Sequence, residues 1–298
     1  MLKPRLQSHF DHVTEHLYIN PLEKCNLRCK ICYTRKTSPI LSNQQMLDFV
    51  ERYQAVKTLK TITFCGGEVF ALTTFPSLLN ILTDKGLFLQ IITNGTLDRL
   101  DEVTTPNLIN LIVSLDGLEE YHDANRGAGN FRKSISFMKK AQGLGFHLDV
   151  FSIITQQNLP YLDDLEQFLA TEFGQEIPVT YHPRKPLSYL NIHPVSNITG
   201  ETTGFDFLTK PQMLKLIHTR NVFPPKNLGC YQIALVSDGK VYGCCEGVRP
   251  LGMIDHPVTD LLDRLENKVA AWAETDASEG CLGCSDHLFM CGLKELRA

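Results

Sequence analysis

From about residue 13 to residue 222, short apolar runs alternate with longer amphipathic stretches. Leu17–Asn20, Thr61–Phe64, Phe88–Thr93, Leu108–Leu115, Leu148–Thr155 and Pro178–His182 are rich in Ile, Val, Leu and Phe, the composition of strands buried on both faces. Met46, Phe49, Val50 and Tyr53 recur at helical spacing behind Ser42 and Gln45, a capping-box pair. Pro76 opens a second helix. Phe131, Ile135 and Met138 mark a third, and Leu162, Leu165, Phe168 and Leu169 a fourth. Strands alternating with helices of crossover length predict an α/β fold built on six parallel strands.

Residues 183–210 break the rhythm: Pro183, Pro186, Pro194 and the polar stretch Ser196–Gly204 predict a long loop. After Pro224-Pro225 the pattern changes. Asp238-Gly239 sits between Ile233–Ser237 and Lys240–Tyr242 as a hairpin turn, and Val258, Leu261, Leu262, Leu265, Val269 and Trp272 form the packing stripe of a final helix. The expected division is residues 1–222 and 223–298.

A chain of 298 residues, 43% hydrophobic, supports one large domain with a small appendage. Lys and Arg total 29 against 33 Asp and Glu, a net charge of −4, so nucleic acid is not an expected partner. No stretch approaches the roughly 18 apolar residues of a membrane span, and the start of the chain lacks a signal-peptide core. A cytoplasmic protein without membrane contact is expected.

The ten cysteines change the picture, because they fall in two groups: Cys25, Cys29, Cys32 and Cys65, then Cys230, Cys244, Cys245, Cys281, Cys284 and Cys291. Cys25, Cys29 and Cys32 follow the first strand directly with spacing C-x3-C-x2-C. Three thiolates on one loop can hold a [4Fe–4S] cluster whose remaining iron stays open to an exogenous ligand. By spacing alone, a structural zinc completed by a distant histidine is the competing reading.

Further positions match in order. Tyr33 follows the third cysteine, Gly66-Gly67-Glu68 ends the second strand, and Thr93-Asn94-Gly95 ends the third. Ser114-Leu115-Asp116-Gly117, with His122-Asp123 and Arg126 after it, ends the fourth. On these residues the chain resembles the radical S-adenosylmethionine (SAM) superfamily. The resemblance implies a partial (β/α)6 TIM-like barrel with its chemistry at the carboxyl ends of the strands. It also implies a [4Fe–4S] cluster that binds S-adenosylmethionine, reductive cleavage of the sulfonium, and abstraction of hydrogen by the 5′-deoxyadenosyl radical. Tyr33, Gly66, Gly67, Glu68, Asn94, Ser114, Asp116 and Arg126 become the expected cofactor-binding residues, the glycines by letting backbone approach the ligand and Glu68 by meeting its amino group. Cys65 and Val69 depart from the family pattern, and Cys65 is expected to pack as a small buried thiol.

In the second group, counting back from the turn sets Cys244 opposite about Ile233, with Cys230 nearby and Cys245 facing the other way. Cys281 and Cys284 add a chelating pair, and Cys291 is an alternate. The Gly239-to-Cys244 spacing resembles the cysteine-rich SPASM and twitch extensions, implying one auxiliary [4Fe–4S] cluster, with structural zinc as the alternative. His9, His12 and His16 fit one face of a solvated terminal helix; Tyr181, His182, Arg184 and Lys185 follow the sixth strand toward the barrel mouth.

The Ser114-to-Arg126 run joined to a cysteine-rich extension resembles the branch that modifies ribosomally made peptides, including maturases of nif11-type precursors. It implies a precursor-peptide substrate, a flavodoxin or ferredoxin as electron donor, and cross-linking, epimerisation or excision as the outcome. Because only about 16 residues precede the first strand, a separate leader-peptide-binding protein is expected. A twitch-type dehydrogenase of a small molecule and a noncatalytic iron–sulfur partner are the alternatives.

Overall fold

The computed structural model describes residues 4–34, 36–184, 203–220, 230–245 and 249–273. Six parallel strands run in the order of the sequence: β1 (His16–Asn20), β2 (Thr61–Phe64), β3 (Phe88–Thr93), β4 (Ile109–Ser114), β5 (His147–Ile154) and β6 (Val179–Pro183). They form the six-stranded parallel sheet that the alternating pattern predicts, arranged as the partial barrel that the resemblance implies. The helices are α1 (Pro4–Val13), α2 (Asn43–Gln54), α3 (Phe75–Asp84), α4 (Glu119–Arg126), α5 (Asn130–Leu144), α6 (Leu162–Phe173), α7 (Lys210–Thr219) and α8 (Val258–Ala273). Ser42 caps α2 in a reciprocal box with Gln45, and α2 buries Met46, Phe49, Val50 and Tyr53 on one face. The crossover from β3 to β4 carries only two 3-10 turns, Leu100–Glu102 and Pro106–Leu108.

Burial separates the two faces of the sheet. Leu17, Ile19, Ile62, Phe64, Leu89, Ile91, Leu111, Val113 and Val150 face the helices and are fully buried. The alternate positions His16, Tyr18, Gln90, Ile92, Ile112, Ser114, Phe151 and Ile153 are only half-buried. The inner face is therefore half-open and lined by polar, aromatic and isoleucine side chains.

The same sheet continues beyond β1. Strand β7 (Cys230–Val236) lies parallel to β1, with Leu17 beside Ile233; β8 (Lys240–Cys244) and the short β9 (Gly252–Met253) follow antiparallel. The full order is β6-β5-β4-β3-β2-β1-β7-β8-β9. Helix α8 packs Val258, Leu261, Leu265 and Val269 into the common core, as the apolar stripe predicts. The expected pairing of Cys244 with Ile233 is corrected: Cys244 faces Cys230, because the register shifts between Cys230 and Ala234. His16 is likewise a strand residue, not the end of the terminal helix, which stops at Val13.

Candidate active site

The loop after β1 carries Cys25, Cys29 and Cys32 with half-buried free thiols. Three segments shape it. Gly66 and Gly67 lie against its first part: a Cβ at Gly67 would stand 2.0 Å from the Lys24 carbonyl oxygen, and one at Gly66 2.3 Å from that of Leu22. Gly67 N–H donates to Leu22 O at 2.9 Å, and Glu68 N–H to Lys24 O at 2.9 Å. The space left by the missing side chains is occupied by the chain's own backbone.

Glu68 forms the second support. It is 1% exposed and accepts from Thr93 Oγ1 and Asn94 N, each at 2.8 Å, and from Phe70 N at 3.1 Å. Burial raises its pKa, and the donated hydrogen bonds oppose that rise. The carboxyl thereby joins the end of β2 to the end of β3. There Asn94 Nδ2 donates to Asn26 Oδ1 at 2.9 Å and lies 3.7 Å from Cys25 Sγ.

The third support comes from β4 and α4. Asp116, wholly buried, receives a bidentate grip from Arg126, Nε to Oδ2 at 2.6 Å and Nη2 to Oδ1 at 3.0 Å. Asn125 Nδ2 adds a bond to Oδ2 at 2.7 Å, and Ile153 N one to Oδ1 at 3.1 Å. Burial alone would raise the Asp116 pKa; Arg126 and these donors outweigh it and hold it low. Asn125 also receives Lys30 N–H on its carbonyl at 3.0 Å and Ile31 N–H on Oδ1 at 3.2 Å. Helix α4 thus holds the middle of the cysteine loop. Its apolar stripe is too thin to read, since it buries only His122 and Asn125.

Burial raises the Cys29 pKa, with Arg126 opposing. At Cys32 burial also raises it, but Lys36 and a 3.3 Å contact with Thr34 Oγ1 prevail, and the net shift is downward. Three thiols on one loop, a buried amide beside the first and guanidinium charge beside the second form a donor set that fits a [4Fe–4S] cluster with a vacant iron.

The expected site residues are therefore gathered around the loop, with Asn94 beside Cys25 and Glu68 behind it, and the Asp116–Arg126 pair joined to the loop through Asn125. Ser114 and Tyr33 are half-buried nearby. Cys65, expected to be buried, is half-exposed at the end of β2, and Tyr18 hydrogen-bonds to it. Burial, then Cys65, Cys245 and Tyr33, raise the Tyr18 pKa. Of the residues expected at the mouth, Tyr181 turns outward and donates to Glu166 Oε1 at 2.6 Å. His182 stays inside, its ring 5.6 Å from that of Phe151.

Sequence reading did not single out Tyr121, Phe205 or Phe207. Phe205 is 3% exposed, 5.4 Å from the Tyr121 ring and 5.6 Å from Lys30 Nζ in the cysteine loop. Arg184 lies 4.2 Å from the Phe207 ring and donates to the Phe205 carbonyl. Tyr121, Phe205 and Phe207 thus form an aromatic wall beside the cysteine loop, tied together by Arg184. Only the broken rhythm of residues 183–210 marked this region. Cys281, Cys284, Cys291, Lys185 and the side chains of Cys230, His9 and Trp272 lie outside the described residues.

The model of the radical SAM superfamily matches residues 19–169. The chain is 25% identical over 160 residues to the antilisterial bacteriocin subtilosin biosynthesis protein AlbA of Bacillus subtilis (strain 168), covering 51% of this chain and 36% of AlbA. Among solved structures it is similar to anSMEcpe with bound AdoMet and Cp18Cys peptide, with TM-score 0.67, 20% identity and coverage of 92% of this chain and 87% of that one. It is also similar to Streptococcus suis SuiB bound to precursor peptide SuiA, with TM-score 0.65, 16% identity and coverage of 98% and 73%. The family match spans half the chain and contains the cysteine loop, Gly66-Gly67-Glu68, Asn94, Asp116 and Arg126. The chain belongs to the radical SAM superfamily.

Proposed function

We propose that this protein uses S-adenosylmethionine to start a radical modification of a ribosomally made precursor peptide. The carrying observation is the half-open inner face, whose two ends both meet cysteines. The loop of Cys25, Cys29 and Cys32 leaves the carboxyl end of β1, while Cys230 and Cys244 pair beyond its amino end. At about 3.3 Å per residue, the two levels stand roughly 15–20 Å apart, room for a few residues of an extended peptide. AlbA is named for the biosynthesis of a bacteriocin, and anSMEcpe and SuiB are solved with peptides bound.

In this reading Cys25, Cys29 and Cys32 hold the radical-generating cluster, and Gly66, Gly67, Glu68, Asn94, Ser114, Asp116, Arg126 and Tyr33 surround the cofactor. Glu68 acts mainly by fixing Asn94. When bound, the cluster and S-adenosylmethionine supply the radical that takes hydrogen from the substrate. The chain's own part is orientation and shelter: Asn125 and Arg126 fix the loop, and the wall of Tyr121, Phe205 and Phe207 limits water.

Residues 223–298 then form an auxiliary unit in which Cys230, Cys244, Cys281 and Cys284, with Cys291 as alternate, hold a second [4Fe–4S] cluster. The pairing of Cys230 with Cys244 and the burial of Cys244, 8% exposed, support that set. The peptide is cross-linked, epimerised or excised in an oxidoreductase or lyase reaction. A flavodoxin or ferredoxin supplies electrons, and a separate protein presents the leader, in the cytoplasm. No described helix is long and apolar enough to cross a membrane.

The test is anaerobic incubation with S-adenosylmethionine, a strong reductant and a panel of precursor peptides or small alcohols. Peptide-dependent release of 5′-deoxyadenosine with a mass change in the peptide is expected. Turnover with alcohols alone would transfer the enzyme to the dehydrogenase class.

A further inference from the structure

Gln232 is one of the buried polar residues, among those described, for which neither the fold nor the site gives a use. It lies on β7 between Cys230 and Ala234, inside the register shift. It is 5% exposed, and its amide Nε2 is buried with no hydrogen-bond partner. Ala234 pairs with Tyr242, so continuing that antiparallel register by two residues would set Gln232 opposite Cys244. The shift puts Cys230 there instead and leaves the Gln232 segment alongside. The alternation of β7 sends Ile233 and Leu235 into the apolar core, and Gln232 shares the opposite side with Ala234.

A buried amide N–H without an acceptor is rare in folded proteins, and such a donor, two positions along β7 from the residue that pairs with the buried Cys244, points to an acceptor that arrives with a ligand. His16, next to Gln232 in the parallel register of β1 and β7, directs Nε2 to Thr63 Oγ1 at 2.8 Å, and Thr63 donates onward to Gln90 Oε1 at 2.8 Å.

We propose that the Gln232 side-chain amide donates a hydrogen bond to sulfur of an iron–sulfur cluster bound at Cys230 and Cys244, and thereby raises that cluster's reduction potential. The proposal rests on the auxiliary-cluster reading above. Sulfur carries more negative charge when the cluster is reduced, so an N–H donor stabilises the reduced form more than the oxidised one.

The experiment uses the full chain with Cys25→Ala, Cys29→Ala and Cys32→Ala, so that only the second cluster is read. Gln232→Met and Gln232→Leu, both without a donor, are introduced into that parent. Iron content and the midpoint potential by spectroscopic redox titration are measured after anaerobic reconstitution. The expected result is about four irons in parent and variants, with the potential shifted to more negative values in both. If one variant does not assemble, the other decides. An unchanged potential overturns the proposal, as does loss of iron in both variants, because a donor to sulfur tunes a cluster and does not hold it. A parent without iron overturns the auxiliary-cluster reading itself, before Gln232 is altered.

Discussion

Arg126 grips Asp116 through two hydrogen bonds of 2.6 and 3.0 Å beneath the cysteine loop, with the carboxylate fully buried. The pair closes a chain of support from β4 through α4 to Lys30 and Ile31. Arg126→Met leaves a buried, uncompensated carboxylate and should cost about 3–5 kcal/mol of stability, read by denaturant unfolding. Adding Asp116→Asn should recover part of the loss. A cost below about 1 kcal/mol for the single variant would show that the pair is not the anchor described.

Gly67 makes the closest approach between β2 and the cysteine loop. Gly67→Ala places its Cβ 2.0 Å from a carbonyl oxygen of Lys24, and backbone on both sides leaves no flexible side chain to yield. The loop must move, and reconstituted iron at Cys25, Cys29 and Cys32 should fall sharply while the helical circular dichroism persists. Unchanged iron would mean that the loop tolerates the shift.

His122 is fully buried, and burial, helped by Arg126 and opposed by Asp116 and Asp123, lowers its pKa from 6.5 to about 4. As the pH falls, the unfolded chain therefore takes up this proton first. The stability from keeping His122 neutral is complete above about pH 6.5, is lost through about pH 4, and amounts to about 2 kcal/mol already gone at pH 5. His16, also lowered to about 4 by burial and by His12, acts with the same sign. His122→Asn should flatten the acid limb of a plot of Tm against pH between 6.5 and 4. A limb of unchanged slope would assign the acid sensitivity to other groups.

Much of this was legible from the residue pattern, for physical reasons that differ between elements. Thr61–Phe64 and Phe88–Thr93 occur with the expected bounds, since a strand buried between helices and an inner face must be apolar throughout. The cysteine loop, Asn94, Asp116 and Arg126 come together because the ends of successive parallel strands are neighbours in space. Helix α4 was not legible as a helix, because its buried face is made of His122 and Asn125 rather than aliphatic residues. Nor was α7, although Thr209 and Gln212 form its capping box, because the long loop before it masked the start. The pairing of Cys230 with Cys244 depends on a register shift that no periodicity announces. Tyr181 faces α6 because Glu166 accepts its hydroxyl, a contact between residues on different elements.

The proposed function requires iron–sulfur sites at both ends of β1. Iron and acid-labile sulfide should be counted after anaerobic reconstitution of the wild type and of the variant with Cys25→Ala, Cys29→Ala and Cys32→Ala. Two clusters predict about eight irons falling to about four. About four irons falling to near zero would leave only the site of Cys25, Cys29 and Cys32 and rule out a second cluster.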